Sequence, residues 1–197
     1  MFLLIVLAVA LNGFVSFGIE SIGIELFRAL GAEMGHAIAI ASLLGLFKLA
    51  GRIIDLAGGR RWDALSTAQV AAVAMPLGLV AVGLFGAGPG LGPASWSVPV
   101  AAYLVLFGIG SGAFAVSRAT MPLLFYRRAD YAAAMSAIAV PLNLINALAP
   151  PVLAGLLVVA GPWAVLGLMA GLGTLAAILL AWLSRLRPAP EPDREIA

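Results

Sequence analysis

The apolar positions fall into six long runs, and the polar positions gather in the gaps between them. A membrane-spanning helix needs about 20 apolar residues in succession. Runs of that length lie near 2–24, 36–57, 64–86, 97–119, 132–157 and 162–184, and each is predicted to be a span. Glu25, Arg28, Gly31 and Glu33 separate the first two runs, and Gly58 to Asp63 the next pair. Gly86 to Pro93 is a loop dense in helix breakers. Arg127, Arg128 and Asp130 part the fourth run from the fifth, and Gly161-Pro162 makes a tight turn before the sixth. The predicted fold class is all-α integral membrane, one six-helix domain over residues 1–184. A charged, proline-rich tail over 185–197 is expected to be disordered and cytoplasmic.

Composition agrees with this pattern. Of the 197 residues, 63% are hydrophobic and only 10% charged, and the mean hydropathy is +1.11. A soluble domain is about a quarter charged, so water is not the solvent for this surface. The net charge of +2 does not indicate nucleic acid, because the basic residues are few and scattered along loops. Without cysteine there is no disulfide, thiol nucleophile or cysteine-ligated metal. Ala8-Val9-Ala10 resembles a signal-peptide cleavage site, but no basic segment precedes it and the apolar run continues to Ile24. A first transmembrane helix is the better reading. Lys48 is the only lysine among 11 basic residues, a bias that points to a bacterial source and so to the inner membrane.

Basic residues orient the spans, since cytoplasmic loops carry the excess of arginine and lysine. Arg60, Arg61, Arg127, Arg128, Arg185, Arg187 and Arg194 fall on one side of the predicted topology, and Arg28 alone on the other. Both termini are therefore expected in the cytoplasm.

Polar residues inside spans are costly and lean functional. Lys48, Arg52 and Asp55 share one face of the second span, at i, i+4 and i+7. Lys48 lies roughly 10 Å deeper than Asp55 at the helical rise per residue. It either faces a water-filled cavity, meeting an anionic group or a proton-linked acid, or snorkels to the headgroups. Asn12, Ser16 and Glu20 form a stripe on the first span, suited to lining a cavity or to interhelical hydrogen bonds. Glu20 is expected to lie too far from Lys48 in depth to pair with it. The fifth span carries Asn143 and Asn146 among Pro141, Pro150 and Pro151. Prolines free backbone carbonyls, and the two amides can offer donors and acceptors to a substrate or pack helices. Gly108 with Gly112, and Gly167 with Gly171, have the small-residue spacing of close helix contacts.

Gly51, Asp55, Gly58 and Arg60 together reproduce the spacing Gly-x-x-x-Asp-x-x-Gly-x-Arg. This resembles the signature loop between the second and third helices of each half of a major facilitator superfamily transporter. It departs from the family pattern at Leu56 and Gly59, where basic residues are common. The weakened form is typical of the carboxy-terminal half, and Gly108 to Pro122 is similar to the fourth span of such a half. The resemblance covers nearly the whole chain. It implies one six-helix half with a 3+3 inverted repeat, and Met1 opening directly on an apolar helix fits a chain that lacks its amino-terminal partner. It also implies a conformational latch made by Gly51, Arg52, Asp55, Gly58, Arg60 and Arg61, in which the aspartate engages the opposite half. Without such a role, Arg52 and Asp55 would form a local pair and mark topology.

Other chemistries fail on placement. Ser111 is mid-span while the only histidine, His36, is predicted at the outer mouth, too far to share a proton. No metal cluster, cofactor site or phosphate loop is visible, so no enzyme is expected. The expected activity is alternating-access transport of a small solute, coupled to a proton, another ion or the solute's own gradient. The half-transporter would sit in the lipid bilayer as a homodimer or beside a missing half. The alternative is a truncated or accessory membrane subunit without transport of its own.

Overall fold

The structure, a computed structural model, describes residues 2–58, 62–85, 97–125 and 130–186. Arg60, Arg61, the Gly86 to Pro93 loop, Arg127, Arg128 and the tail beyond Leu186 lie outside the described residues. Among the described residues the protein is all-helical, with no strand. The long helices are α1 (Phe2–Ala29), α2 (Met34–Gly58) and α3 (Ala64–Phe85). Next come α4 (Ser97–Tyr103), a π-helical segment (Leu104–Ile109), α5 (Gly110–Thr120) and a 3₁₀ turn (Met121–Leu124). The last helical stretch is α6 (Tyr131–Arg185). Five stretches are long and apolar enough to cross a bilayer, the last of them 55 residues long.

The α6 stretch is not one rod. A straight helix of that length would measure about 80 Å, more than twice the thickness of a hydrocarbon core. At Gly161 the backbone leaves the helix, with φ of 79° and ψ of 178°. That region of conformational space is open to glycine and closed to residues with a Cβ. Leu153 and Met169, on opposite sides of Gly161, both pack at Gly18 of α1. Residues 16 apart in a straight helix would be about 24 Å apart, so the chain folds back at Gly161. The limb 131–160 runs alongside α1 in the same direction, with Leu142 and Asn146 beside Gly13. The limb 162–185 returns antiparallel to α3: Trp163 and Leu166 approach Gly83, Gly173 meets Pro76, and the Gln69 amide donates to the Leu180 carbonyl at 3.2 Å.

At the other sharp turn, α1 ends on Gly31, whose φ of 99° is left-handed. The Gly31 N–H donates to the Arg28 carbonyl and the Ala32 N–H to the Phe27 carbonyl. This pattern satisfies carbonyls at a helix C-terminus and reverses the chain. The core has two layers along the bundle. One joins Ile19, Leu26, Phe27, Leu44, Tyr103, Leu153 and Val165 near the α1–α2 turn. The other joins Ile5, Leu65, Met121, Ile138 and Leu183 at the end that holds both described chain ends.

Small residues bring α2 against the segment that carries the π-helix. A Cβ at Gly108 would lie 2.6 Å from the Phe47 Cβ. One at Gly112 would collide with the Lys48 carbonyl, and one at Gly51 with the Ile109 carbonyl. Gly167 and Gly171 differ, because nothing lies within 4 Å of a Cβ placed on either. Their spacing matched a contact motif, yet they face open space rather than a neighbouring helix.

Candidate functional site

The backbone contact at Gly112 and Gly51 fixes α2 so that one of its faces, together with α1, walls a cavity of about 400 Å³. Its apolar floor is formed by Ile19, Phe27, Ile40, Leu44 and Tyr103. Tyr103 packs against two aromatic rings. Its ring stacks on Phe107 with centroids 5.3 Å apart, and Phe27 meets it edge-on at the same distance. The charged groups on the walls are Glu20 and Glu25 from α1 and Lys48 and Arg52 from α2.

Lys48 donates to the Glu20 carboxylate across the cavity, forming an ion pair. The Lys48 side chain is 14% exposed and that of Glu20 44%. The pair corrects the expectation that depth would keep these residues apart. That expectation compared backbone positions alone. Helical side chains lean toward the N-terminus of their own helix. The α1 and α2 helices are antiparallel, so Glu20 leans toward the chain-end layer and Lys48 toward the α1–α2 turn. Each reaches toward the other's level, and two long side chains close the gap. Arg52 lies one turn beyond Lys48 on the same face, exposed and without an ion-pair partner among the described residues.

The other sequence-derived residues lie elsewhere. Asn12 is fully buried, and neither atom of its amide has a hydrogen-bond partner. Asn146 is half-buried beside Gly13 with its Oδ1 also unpartnered, while Asn143 is exposed and Ser16 half-buried. None of these four lines the cavity. Of the loop residues, Gly51 is buried against Ile109, and Gly58 sits under the Trp62 ring. Asp55 is half-buried and does not pair with Arg52. Ser111 is buried and donates to the Gly108 carbonyl at 3.1 Å.

No family profile and no curated protein matches the chain. Among solved structures it is similar to the POT family transporter PepTSo, at a TM-score of 0.73 and 19% identity over 98% of this chain. It is equally similar to an auto-inhibited POT family peptide transporter, at 0.73 and 18% identity over 98% of this chain. The chain shares the fold of part of a POT family transporter. It spans 39% of the length of each of these proteins. The protein is therefore a multi-pass membrane protein with a transporter-like fold.

Within that fold, sequence reasoning singled out Lys48, with Arg52 on its face, and put Glu20 on a stripe suited to lining a cavity, but missed the pairing of Glu20 with Lys48. Glu25 was read only as a separator of the first two runs. Tyr103 drew no attention, although a phenol inside an apolar run is a signal that could have been read.

Proposed function

We propose that the chain is one six-helix half of a secondary transporter of the major facilitator type, with a 3+3 inverted repeat, moving a small solute by alternating access. The observation that carries this reading is the charged cavity between α1 and α2, set in a fold similar to 39% of a POT family transporter. Secondary transporters place their sites near the bilayer midplane between repeats that rock against each other. A cavity open on one flank needs a second half to close it, and a second copy related by an axis along the membrane normal can supply one. Lys48 then serves the solute, and Asn12, Ser16, Asn143 and Asn146 serve a pathway that forms when the halves move. Gly51, Arg52, Asp55, Gly58, Arg60 and Arg61 form the latch on the cytoplasmic side. Asp55 has no ion-pair partner among the described residues, as a latch in its open state requires. The setting is a bacterial inner membrane, with both termini cytoplasmic and the driving force a proton, another ion or the solute's own gradient.

Flux tests this reading. The purified chain alone, reconstituted in vesicles, is expected to move solute down an imposed gradient, and Asp55→Asn to slow that flux while leaving the fold intact. A folded chain without flux under any gradient would mean that the chain does not transport by itself, and would leave an accessory subunit or a half that needs a different partner.

A further inference from the structure

We infer that the cavity selects a small organic monoanion with an apolar body, which binds by displacing Glu20 from Lys48. This inference rests on the reading of the cavity as a solute site. The two members of the ion pair are not equivalent. Lys48 is set in the cavity wall with its side chain 14% exposed, whereas that of Glu20 is 44% exposed. An ammonium that loses its partner where little water reaches it is unfavourable in a membrane protein. A cation that took Glu20 would leave the Lys48 ammonium in this position. An anion that takes Lys48 leaves only Glu20 unpaired, and Glu20 can turn into the open part of the cavity where water reaches it. The asymmetry in burial therefore favours anions.

The remaining charges set the pose. Arg52 lies one turn from Lys48 and offers a second positive charge. Glu25, the other acid on the walls, is five residues beyond Glu20 toward the α1–α2 turn, about 7.5 Å along the helix and on the side away from Arg52. The anionic group is thus drawn between Lys48 and Arg52. The floor under it, with Phe27, Leu44 and Tyr103, has no charged group and rewards an apolar body. A volume of about 400 Å³ is at the small end of ligand pockets.

Three probes of nearly one shape separate the alternatives: benzoate, benzylammonium and benzyl alcohol. Binding to the purified full chain in detergent is measured by calorimetry and by thermal shift. Benzoate is expected to bind about tenfold or more tightly than the other two, the worth of one charge-assisted hydrogen bond. Glu20→Gln keeps an acceptor for Lys48 but removes the competing charge, so it is expected to tighten benzoate several-fold. The double variant Glu20→Gln with Lys48→Met removes both charges, leaves no orphan, and is expected to abolish the preference for benzoate. Equal binding of the three probes, tighter binding of benzylammonium, weaker benzoate binding in Glu20→Gln, or no binding at all would each overturn the inference. The assay needs no flux, so its outcome is independent of whether the chain transports alone.

Discussion

Asn12 places a complete amide in the protein interior with no hydrogen-bond partner, at 0% exposure. A buried, unpaired polar group costs about 1–3 kcal/mol, although the smaller values measured for polar contacts inside membranes apply here. An apolar side chain of similar size avoids that cost. Asn12→Leu is expected to raise the stability of the chain by about 1 kcal/mol, seen as a higher midpoint of thermal unfolding in detergent. A lower midpoint would mean that the amide has a partner in the folded protein. At this scale the sequence was informative about which residues matter and less so about what they touch. Lys48 stands out because an ammonium in an apolar run needs a reason. Its pairing with Glu20 did not stand out, because the lean of two antiparallel side chains is invisible when only backbone rise is counted.

Helix contacts depend on glycines that look alike in sequence. Gly112 and Gly51 let α2 approach α5 and the π-helical segment until a carbonyl of one chain segment fills the space a Cβ would need. Backbone cannot yield as a flexible side chain does, and overpacking of this kind costs about 1–3 kcal/mol. Gly112→Ala is expected to lower stability by that amount, whereas Gly171→Ala, facing open space, is expected to change it little or to raise it slightly. Comparing the two unfolding midpoints under one condition tests the assignment, and similar losses for both would count against it. Gly161 is a third case, governed by backbone conformation rather than contact. Its φ of 79° is strained for any residue with a Cβ, so Gly161→Ala is expected to cost about 1–3 kcal/mol. A Gly161→Ala midpoint equal to that of the parent chain would contradict this. The reversal at Gly161 was legible because a glycine before a proline breaks a long apolar run. Which small-residue pair meets a neighbour was not legible, because periodicity defines a face but not what lies opposite.

At the scale of the whole molecule, hydropathy carried the fold class, since in a bilayer only helices or closed barrels satisfy the backbone. The cavity was not legible, because it arises from the placement of α2 against two other segments. That placement also leaves α2 little covered: of its 25 residues only Ala37, Ile40, Leu44 and Gly51 are buried. Leu43, Leu46, Leu49, Ile53 and Leu56 are exposed along it. Lipid can cover leucines, but it covers Arg52 and the open flank of a charged cavity poorly. A second copy, placed by a two-fold axis along the membrane normal, would cover both and would bring two cavities together. The chain contains no cysteine, so one introduced at Leu186, away from the cavity, gives a unique site for a fluorophore. Stepwise photobleaching of the labelled chain in dilute vesicles is expected to show two steps, and the two-copy fraction is expected to rise with flux as the protein-to-lipid ratio increases. Single steps accompanied by flux would show that one half suffices. Single steps without flux would remove the homodimer and leave a different polypeptide as the closing half.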